Sequence, residues 1–437
     1  MVAHSTLDRV LLKKYASIAP CHAPYFPLTL LREGFSPRDH RLAAQASNED
    51  PIPKPLSVSL YLSDCHELDG PDACHKTSVH HKARIHEYLG YLEREIGLQA
   101  ALFDSDRLVE HIHVSGGLST CMKYAQWERL FGVLAQRFRL AQDDQPTCTI
   151  DVDANDTSEG HIALLGELGF THLNLKVQPS EEALALLVDA ARDAYFHAIS
   201  MTMILAPPGQ TLAGFDANLA TLIALRPDQL NLCHPRPAGT RTNAAALTPA
   251  RLQHAILSLA AAGYVHLGLG HFALTDDALA QAWRQGTLSY NLHGYSSHAA
   301  CDLIGLGPGA LSHINDSYSQ NAQQIPRYYR HLDQRQPPIW RGHDLRFDDL
   351  LRLDIIHCLL CWQWLDVTAI EERYRIVFRN YFAPELTALA PFVEDGLVTI
   401  QPDALRLLPP GHLLLGRVAG LFDPPRGTSR RRLSRIV

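Results

Sequence analysis

Two thiols and four imidazoles crowd one short stretch of this chain. Cys65, His66, Cys74, His75, His80 and His81 fall within seventeen residues, with Asp69 and Asp72 between them. Thiolate and imidazole are ligands for borderline-soft divalent ions, and carboxylates add harder oxygen donors. A single ion held by Cys65, Cys74 and His75 is therefore one expectation. The spacing matches no named zinc motif, and 24 His in 437 residues make chance spacings common, so a solvated loop is the competing one. Further along, Gly305-Leu306-Gly307-Pro308-Gly309 has the form of a phosphate cradle. The Gly116-Gly117 pair admits the close approach of a ligand or makes a tight turn. Cys358 and Cys361 form Cys-x-x-Cys inside an apolar helical run, which favours core thiols over a redox pair.

The elements around these residues follow from hydropathy. Strand patterns at 56–62, 109–114, 147–152, 171–177, 198–205 and 229–233 alternate with helical periodicity at 83–102, 125–140, 159–168, 180–194, 212–224 and 249–262. Six strand–helix units predict a parallel sheet with helices outside it, and no Gly-x-Gly-x-x-Gly follows the first strand to mark a dinucleotide fold. The fold class read here is α/β, an incomplete (β/α)6 barrel with its site at the carboxyl ends of the strands. The run from Leu252 to Thr275 reads as a helix and one strand. Helices at 346–364 and 368–374 and a hairpin at 396–407 predict a C-terminal helical, winged-helix-like domain. The expected divisions are 1–55 as a segment packing on the barrel, 56–340 as barrel and extension, and 341–437 as that domain.

Composition narrows the function. A hydrophobic fraction of 46% with 19% charged residues excludes a disordered chain, and a net charge of −7 gives no field for nucleic acid. The basic end, Arg426 to Arg435, reads as a solvated tail. Nine cysteines without a secretory leader imply reduced thiols in a cytoplasm, and no stretch reads as a membrane span.

Six segments stand out together: Tyr88-Leu89-Gly90-Tyr91-Leu92-Glu93-Arg94-Glu95-Ile96, Gly270-His271-Phe272-Ala273 with Asp276-Asp277, and Asn291-Leu292-His293-Gly294-Tyr295, then Asp302-Leu303-Ile304-Gly305-Leu306-Gly307, Trp340-Arg341-Gly342 and the terminal Leu433-Ser434-Arg435-Ile436-Val437. In these segments the chain resembles the oxygen-independent coproporphyrinogen III oxidases, radical S-adenosylmethionine (SAM) enzymes of porphyrin and haem synthesis. The likeness implies a [4Fe–4S] cluster, SAM, and oxidative decarboxylation of coproporphyrinogen III to protoporphyrinogen IX. The resemblance assigns the cluster ligands to three cysteines spaced Cys-x3-Cys-x2-Cys, and here those positions hold Cys65, Asp69 and Asp72. For the SAM site it points to Gly116 and Gly117 within Ser115–Ser119, and to Asp151, Gln178 and Leu311. A family Arg falls on Ala190, a family Asp on Thr202, and the N-terminal segment near the substrate on Ala19–Tyr25.

Iron–sulfur irons take soft thiolates, and two carboxylates in place of two thiolates weaken that site. The expectation is a family member that has lost the reaction and keeps a binding or regulatory role towards a tetrapyrrole or SAM. The alternatives are an active decarboxylase with altered ligation and a mononuclear metal protein.

Overall fold

Strands that alternate apolar and polar residues must face two different environments, and here the two faces separate cleanly. The computed structural model describes residues 9–16, 30–63, 79–141, 146–177, 181–205, 210–233, 244–298 and 300–423. Cys65, Asp69, Asp72, Cys74, His75, Gln178, the Ala19–Tyr25 segment and the basic end lie outside them.

Six strands, β1 (Leu56–Tyr61), β2 (Leu108–Ser115), β3 (Thr147–Asp153), β4 (His172–Val177), β5 (Ala198–Ile204) and β6 (Gln229–Cys233), pair in parallel in that order. They alternate with α1 (Val79–Ala100), α2 (Tyr124–Arg137), α3 (Glu159–Glu167), α4 (Glu181–Asp193), α5 (Leu212–Leu225) and α6 (Ala244–Ala261). One strand face carries Val58, Leu60, Ile112, Val114, Ile150, Val152, Leu173 and Leu175, all buried in the main core with Leu92, Trp127, Leu165 and Phe215 of the helices. Helix starts are set by side-chain caps: Ser158 and Thr211 accept from the amides of His161 and Gly214.

The structure extends this plan in three places. β11 (Asp302–Leu306) lies parallel to β1 as a seventh strand. It is buried at every residue and shows no alternation, so its sequence carries no half-buried strand pattern. Beyond it, β12 (Leu311–Ile314), β13 (Ser317–Asn321) and β14 (Ile339–Asp344) continue the sheet antiparallel. At the other end, the single strand expected before Thr275 is a hairpin, β7 (Tyr264–Gly268) and β8 (His271–Leu274). Its turn places Leu269 and Gly270 at positive φ, a backbone signal that hydropathy lacks. The helix expected to reach 140 ends at Arg137, because Arg139–Leu140 pairs beside β2. The terminal strands of the path do not pair with one another among the described residues, which leaves an open, incomplete barrel.

The following residues form α7 (Ala278–Gln285), the short pair β9 (Ser289–Asn291) and β10 (Gly294–Ser296), and α8 (Ile325–Asp333). The C-terminal region holds α9 (Phe347–Trp362), α10 (Val367–Tyr374) and α11 (Ala383–Glu394). Against them lies a small antiparallel sheet of β15 (Trp364–Asp366), β16 (Val398–Ile400) and β17 (Ala404–Leu407). A second core unites α9 residues such as Ile355 and Leu359 with Leu267, Ala273 and Tyr295. Cys361 is buried in that core and Cys358 half-buried beside it, both as free thiols. No helix among the described residues is long and apolar enough to cross a membrane.

A buried carboxyl group joins these layers. Glu95 of α1 is fully buried and accepts from the Gly307 amide (2.8 Å), Asn321 Nδ2 (2.6 Å) and the Tyr328 hydroxyl. One turn pair away on the same helix, Tyr88 donates to the Tyr61 carbonyl (2.8 Å). Burial pushes the Glu95 pKa up to about 8, although the three donors oppose the shift.

Two predictions follow from this geometry. A Cβ at Gly307, whose φ is +102°, would overlap the Tyr61 carbonyl oxygen, whereas Gly263, at φ +91°, has nothing within 4 Å of its added Cβ. Gly307→Ala should cost about 3 kcal/mol or more in urea unfolding, and Gly263→Ala about 1 kcal/mol. The Glu95 pKa is raised above its unfolded value, so its stabilising contribution is present at low pH and is lost as pH rises through about 8. Between about pH 5 and 8 the native protein should lose up to about 1.4 kcal/mol per pH unit from this group, and Glu95→Gln should remove that component of the slope.

Candidate active site

The strand face turned away from the helices is polar, and it forms the barrel interior. Ser57 and Ser59 of β1, His111 and His113 of β2, Thr149 and Asp151 of β3, Asn174 of β4, Thr202 of β5 and Asn231 of β6 alternate with the apolar residues named above. Their side chains link across the sheet in two layers. Near the amino ends, His111 meets Ser57 Oγ at 3.4 Å and Thr149 Oγ1 at 3.1 Å. One layer up, His113 Nε2 lies 3.0 Å from Asp151 Oδ1. Asn174 Nδ2 donates to the same oxygen at 3.0 Å, and Thr202 donates to Asn174 Oδ1 at 3.2 Å.

Asp151 is the electrostatic centre of this belt. Burial opposes its charge, but His113, Lys176 and the Asn174 amide outweigh that cost and bring its pKa down to about 2. An ionised Asp151 accepts from His113 Nε2–H. The other ring nitrogen, Nδ1, is buried with no hydrogen-bond partner among the described residues, on a residue only 7 % exposed. At the opposite end of the belt Asn231 Oδ1 is also buried without a partner among the described residues, and Ser63 Oγ is a third such atom just past β1. A histidine oriented by a carboxylate, with its second nitrogen free, can accept a proton or hydrogen bond from a ligand's N–H or O–H. The segment after β9 closes against this column: the His293 ring packs edge-on to His113 at 4.1 Å, and His298 lies 5.7 Å from His111. Burial holds the His111 and His293 pKa values far down, so these rings are neutral.

The sequence-derived positions divide in two. Asp151 is at the heart of the belt. Gly116, at φ +104°, directly follows β2, and a Cβ there would overlap the Leu62 carbonyl oxygen, so close packing of the β1 and β2 ends already requires glycine. Gly117 begins the short turn to Cys121 and accepts from Thr120 Oγ1 at 2.9 Å. Leu311 starts β12, its backbone pressed against Gly305 near the carboxyl end of β11. Thr202 belongs to the belt, and Ala190 sits half-buried on α4. The Gly305–Gly309 run is no phosphate cradle: the Gly307 amide is already taken by Glu95, and neighbouring carbonyls exclude a side chain at Gly305 and Gly307.

Asp277 caps α7 through the Leu279 amide (2.8 Å) and accepts from Gln229 (3.0 Å). His271 packs on Tyr295, whose hydroxyl donates to the Leu360 carbonyl at 3.0 Å. The metal reading on Cys65, Cys74 and His75 falls outside the described residues, among which no group of three or more His, Cys, Asp or Glu is placed to hold an ion. Sequence reasoning missed His111, His113, Asn174 and Asn231. Their signal was a polar residue at every second position of otherwise apolar strands.

Comparison with known proteins places the chain. No family model matches it. It is 33% identical over 458 residues to the oxygen-independent coproporphyrinogen III oxidase of Pseudomonas aeruginosa, covering 98% of both chains. The Salmonella typhimurium protein of the same name is 32% identical over 440 residues, covering 95% of each. Among solved structures, coproporphyrinogen III oxidase from Escherichia coli, described as a radical SAM enzyme, superposes with a TM-score of 0.82 at 30% identity. That match covers 96% of this chain and 100% of the other. With parallel strands, antiparallel extension and C-terminal helices all inside these alignments, the chain belongs to the oxygen-independent coproporphyrinogen III oxidase family.

Proposed function

We propose that this protein has retained the family scaffold and a ligand site inside the barrel, in a binding or regulatory role towards SAM or a tetrapyrrole, and has given up radical decarboxylation. The observation that carries this reading is the donor set at residues 65, 69 and 72. A [4Fe–4S] cluster with one open iron needs three soft thiolates, and Cys65, Asp69 and Asp72 supply one thiolate and two carboxylates. These residues do not fit the cluster, so no radical step is assigned to this chain. The interior does fit a ligand. Ionised Asp151, together with His113 Nδ1 and Asn231 Oδ1, which have no partner among the described residues, offers acceptors to a molecule bearing N–H or O–H groups. The described cysteines form no disulfide with one another, in keeping with a proposed cytoplasmic setting.

The test is anaerobic reconstitution with iron and sulfide, read by ultraviolet–visible absorption and by vinyl-product formation from coproporphyrinogen III with SAM and a reductant. The native protein should show neither cluster absorption nor product. Asp69→Cys together with Asp72→Cys, which restores three thiols on the family spacing, should increase cluster uptake without restoring turnover. Ala190 and Thr202 still replace the family Arg and Asp, and misplacement of reacting groups by about 1 Å already costs roughly 10²-fold. Turnover by the native protein would establish the active-decarboxylase reading instead.

Retained binding has its own measurement. Calorimetric titration with SAM should detect binding to the native protein, and Asp151→Asn should weaken it about tenfold or more, because the neutral amide no longer fixes the His113 ring. Loss of binding with an unchanged unfolding midpoint would locate the effect in the site. Equal affinity in both proteins would remove the belt from the ligand site.

A further inference from the structure

The outer helix α8 and the strand that follows it carry charge of one sign. Residues 325–343 hold four arginines, one aspartate and no lysine or glutamate, in a chain whose net charge is −7. That aspartate, Asp333, is already engaged from α1 by Arg94 at 3.2 Å and by the Tyr91 hydroxyl at 3.0 Å. Arg327, Arg330 and Arg335 are exposed, and their side chains make no hydrogen bond or ion pair among the described residues.

The helical period places these groups. Tyr328 and Leu332, four residues apart, are buried with Ala322, and Tyr329 stacks on Tyr91 of α1 at 3.8 Å. Arg327 starts the next stripe round the helix, and its guanidinium lies 5.4 Å from the ring centre of Trp340 on β14. The Arg341 guanidinium approaches the same ring at 4.9 Å, with its Nε donating to Gln320 Oε1 at 2.7 Å. A guanidinium resting on an indole keeps its N–H edge free, a preorganised fork for carboxylate or phosphate oxygens.

Two buried atoms on the same elements lack partners. Trp340 Nε1 and His331 Nδ1 each have no hydrogen-bond partner among the described residues. Burial and the charges of Arg327 and Arg330 hold the His331 ring neutral, and no carboxylate counters them. Glu33 lies across the strand pair from Arg341 without an ion pair to it, and Arg32 beside it balances its charge. Negative charge and hydrogen-bond acceptors are therefore what this face lacks.

We propose that the α8–β14 face docks a short acidic segment of a partner polypeptide, its carboxylates held by Arg327, Arg330 and Arg341 around Trp340. The cations spread along α8 and onto β14, which suits several anionic groups in series and not one small anion. A nucleic-acid strand also carries such a series, but it would run beyond the patch over a protein of net charge −7. A short peptide ends within the patch, where the local charge is complementary. The face lies outside the barrel interior, so the proposal stands independently of the ligand reading there.

The experiment measures the fluorescence anisotropy of a labelled octaglutamate peptide against the full-length protein. Binding should saturate at low salt, weaken about tenfold between roughly 50 and 300 mM salt, and be absent for octaglutamine. Arg327→Gln together with Arg330→Gln should weaken octaglutamate about tenfold or more, whereas Arg137→Gln, on α2, should leave it unchanged. If circular dichroism shows that the double variant misfolds, Arg330→Gln alone, at a side chain with no described partner, should still weaken binding about threefold. Absence of saturable binding by the native protein overturns the proposal. So does an affinity indifferent to the folded arginine variants, or a single-stranded DNA octamer that binds more tightly than the peptide through the same arginines.

Discussion

One buried carboxyl group, Glu95, holds three layers of this structure in register. It projects from α1 on the outside of the barrel and reaches the Gly307 amide just past β11, a side chain of β13 and a hydroxyl of α8. Each partner is distant in sequence, and each needs the others in place before its own bond can form. A group this deeply buried is costly to leave unsatisfied, so the cluster forms complete or not at all. Its position also explains why Gly305 and Gly307 are glycines. β11 must come within backbone contact of Leu311 on one side and Tyr61 on the other, and only residues without Cβ permit that approach.

A second buried anchor works at the opposite end of the same strand. Asp302 begins β11 and pairs with Arg107 at 2.7 Å, both side chains almost fully buried, while Ser47 also donates to the carboxylate and Arg107 reaches the Lys54 carbonyl. Burial of such a pair earns little net stability, but losing one partner would strand the other charge, so the pair penalises any alternative docking of β11. Between Glu95 above and Asp302 below, the seventh strand is fixed along its length. The base of the barrel is fixed with it.

The barrel interior has a different logic. Its polar belt is not needed to satisfy the sheet, whose backbone groups pair along seven parallel strands. Side chains such as His113 and Asn231 instead keep polar atoms that no other described residue uses. Buried atoms of that kind are rare in a packed core and belong to sites. The chain thus joins the family scaffold to a polar interior.

The sequence alone determined the six strand–helix units and the C-terminal helices, because their periodicities are local and each is set by burial of one face. It also determined the family, through segments such as Tyr88–Ile96 that the structure reveals as the carriers of Tyr88 and Glu95. The donor types at residues 65–75 were likewise legible without coordinates, since donor softness depends on residue type alone. Only the tertiary structure decided that β11 joins β1, that Gly305–Gly309 serves backbone packing and not phosphate, and that Gly116 answers to Leu62. It also decided which polar strand residues face inward and which of their atoms go unpaired. These outcomes depend on contacts between residues far apart in the chain, and a strand buried on both faces, like β11, has no periodicity from which such contacts can be read.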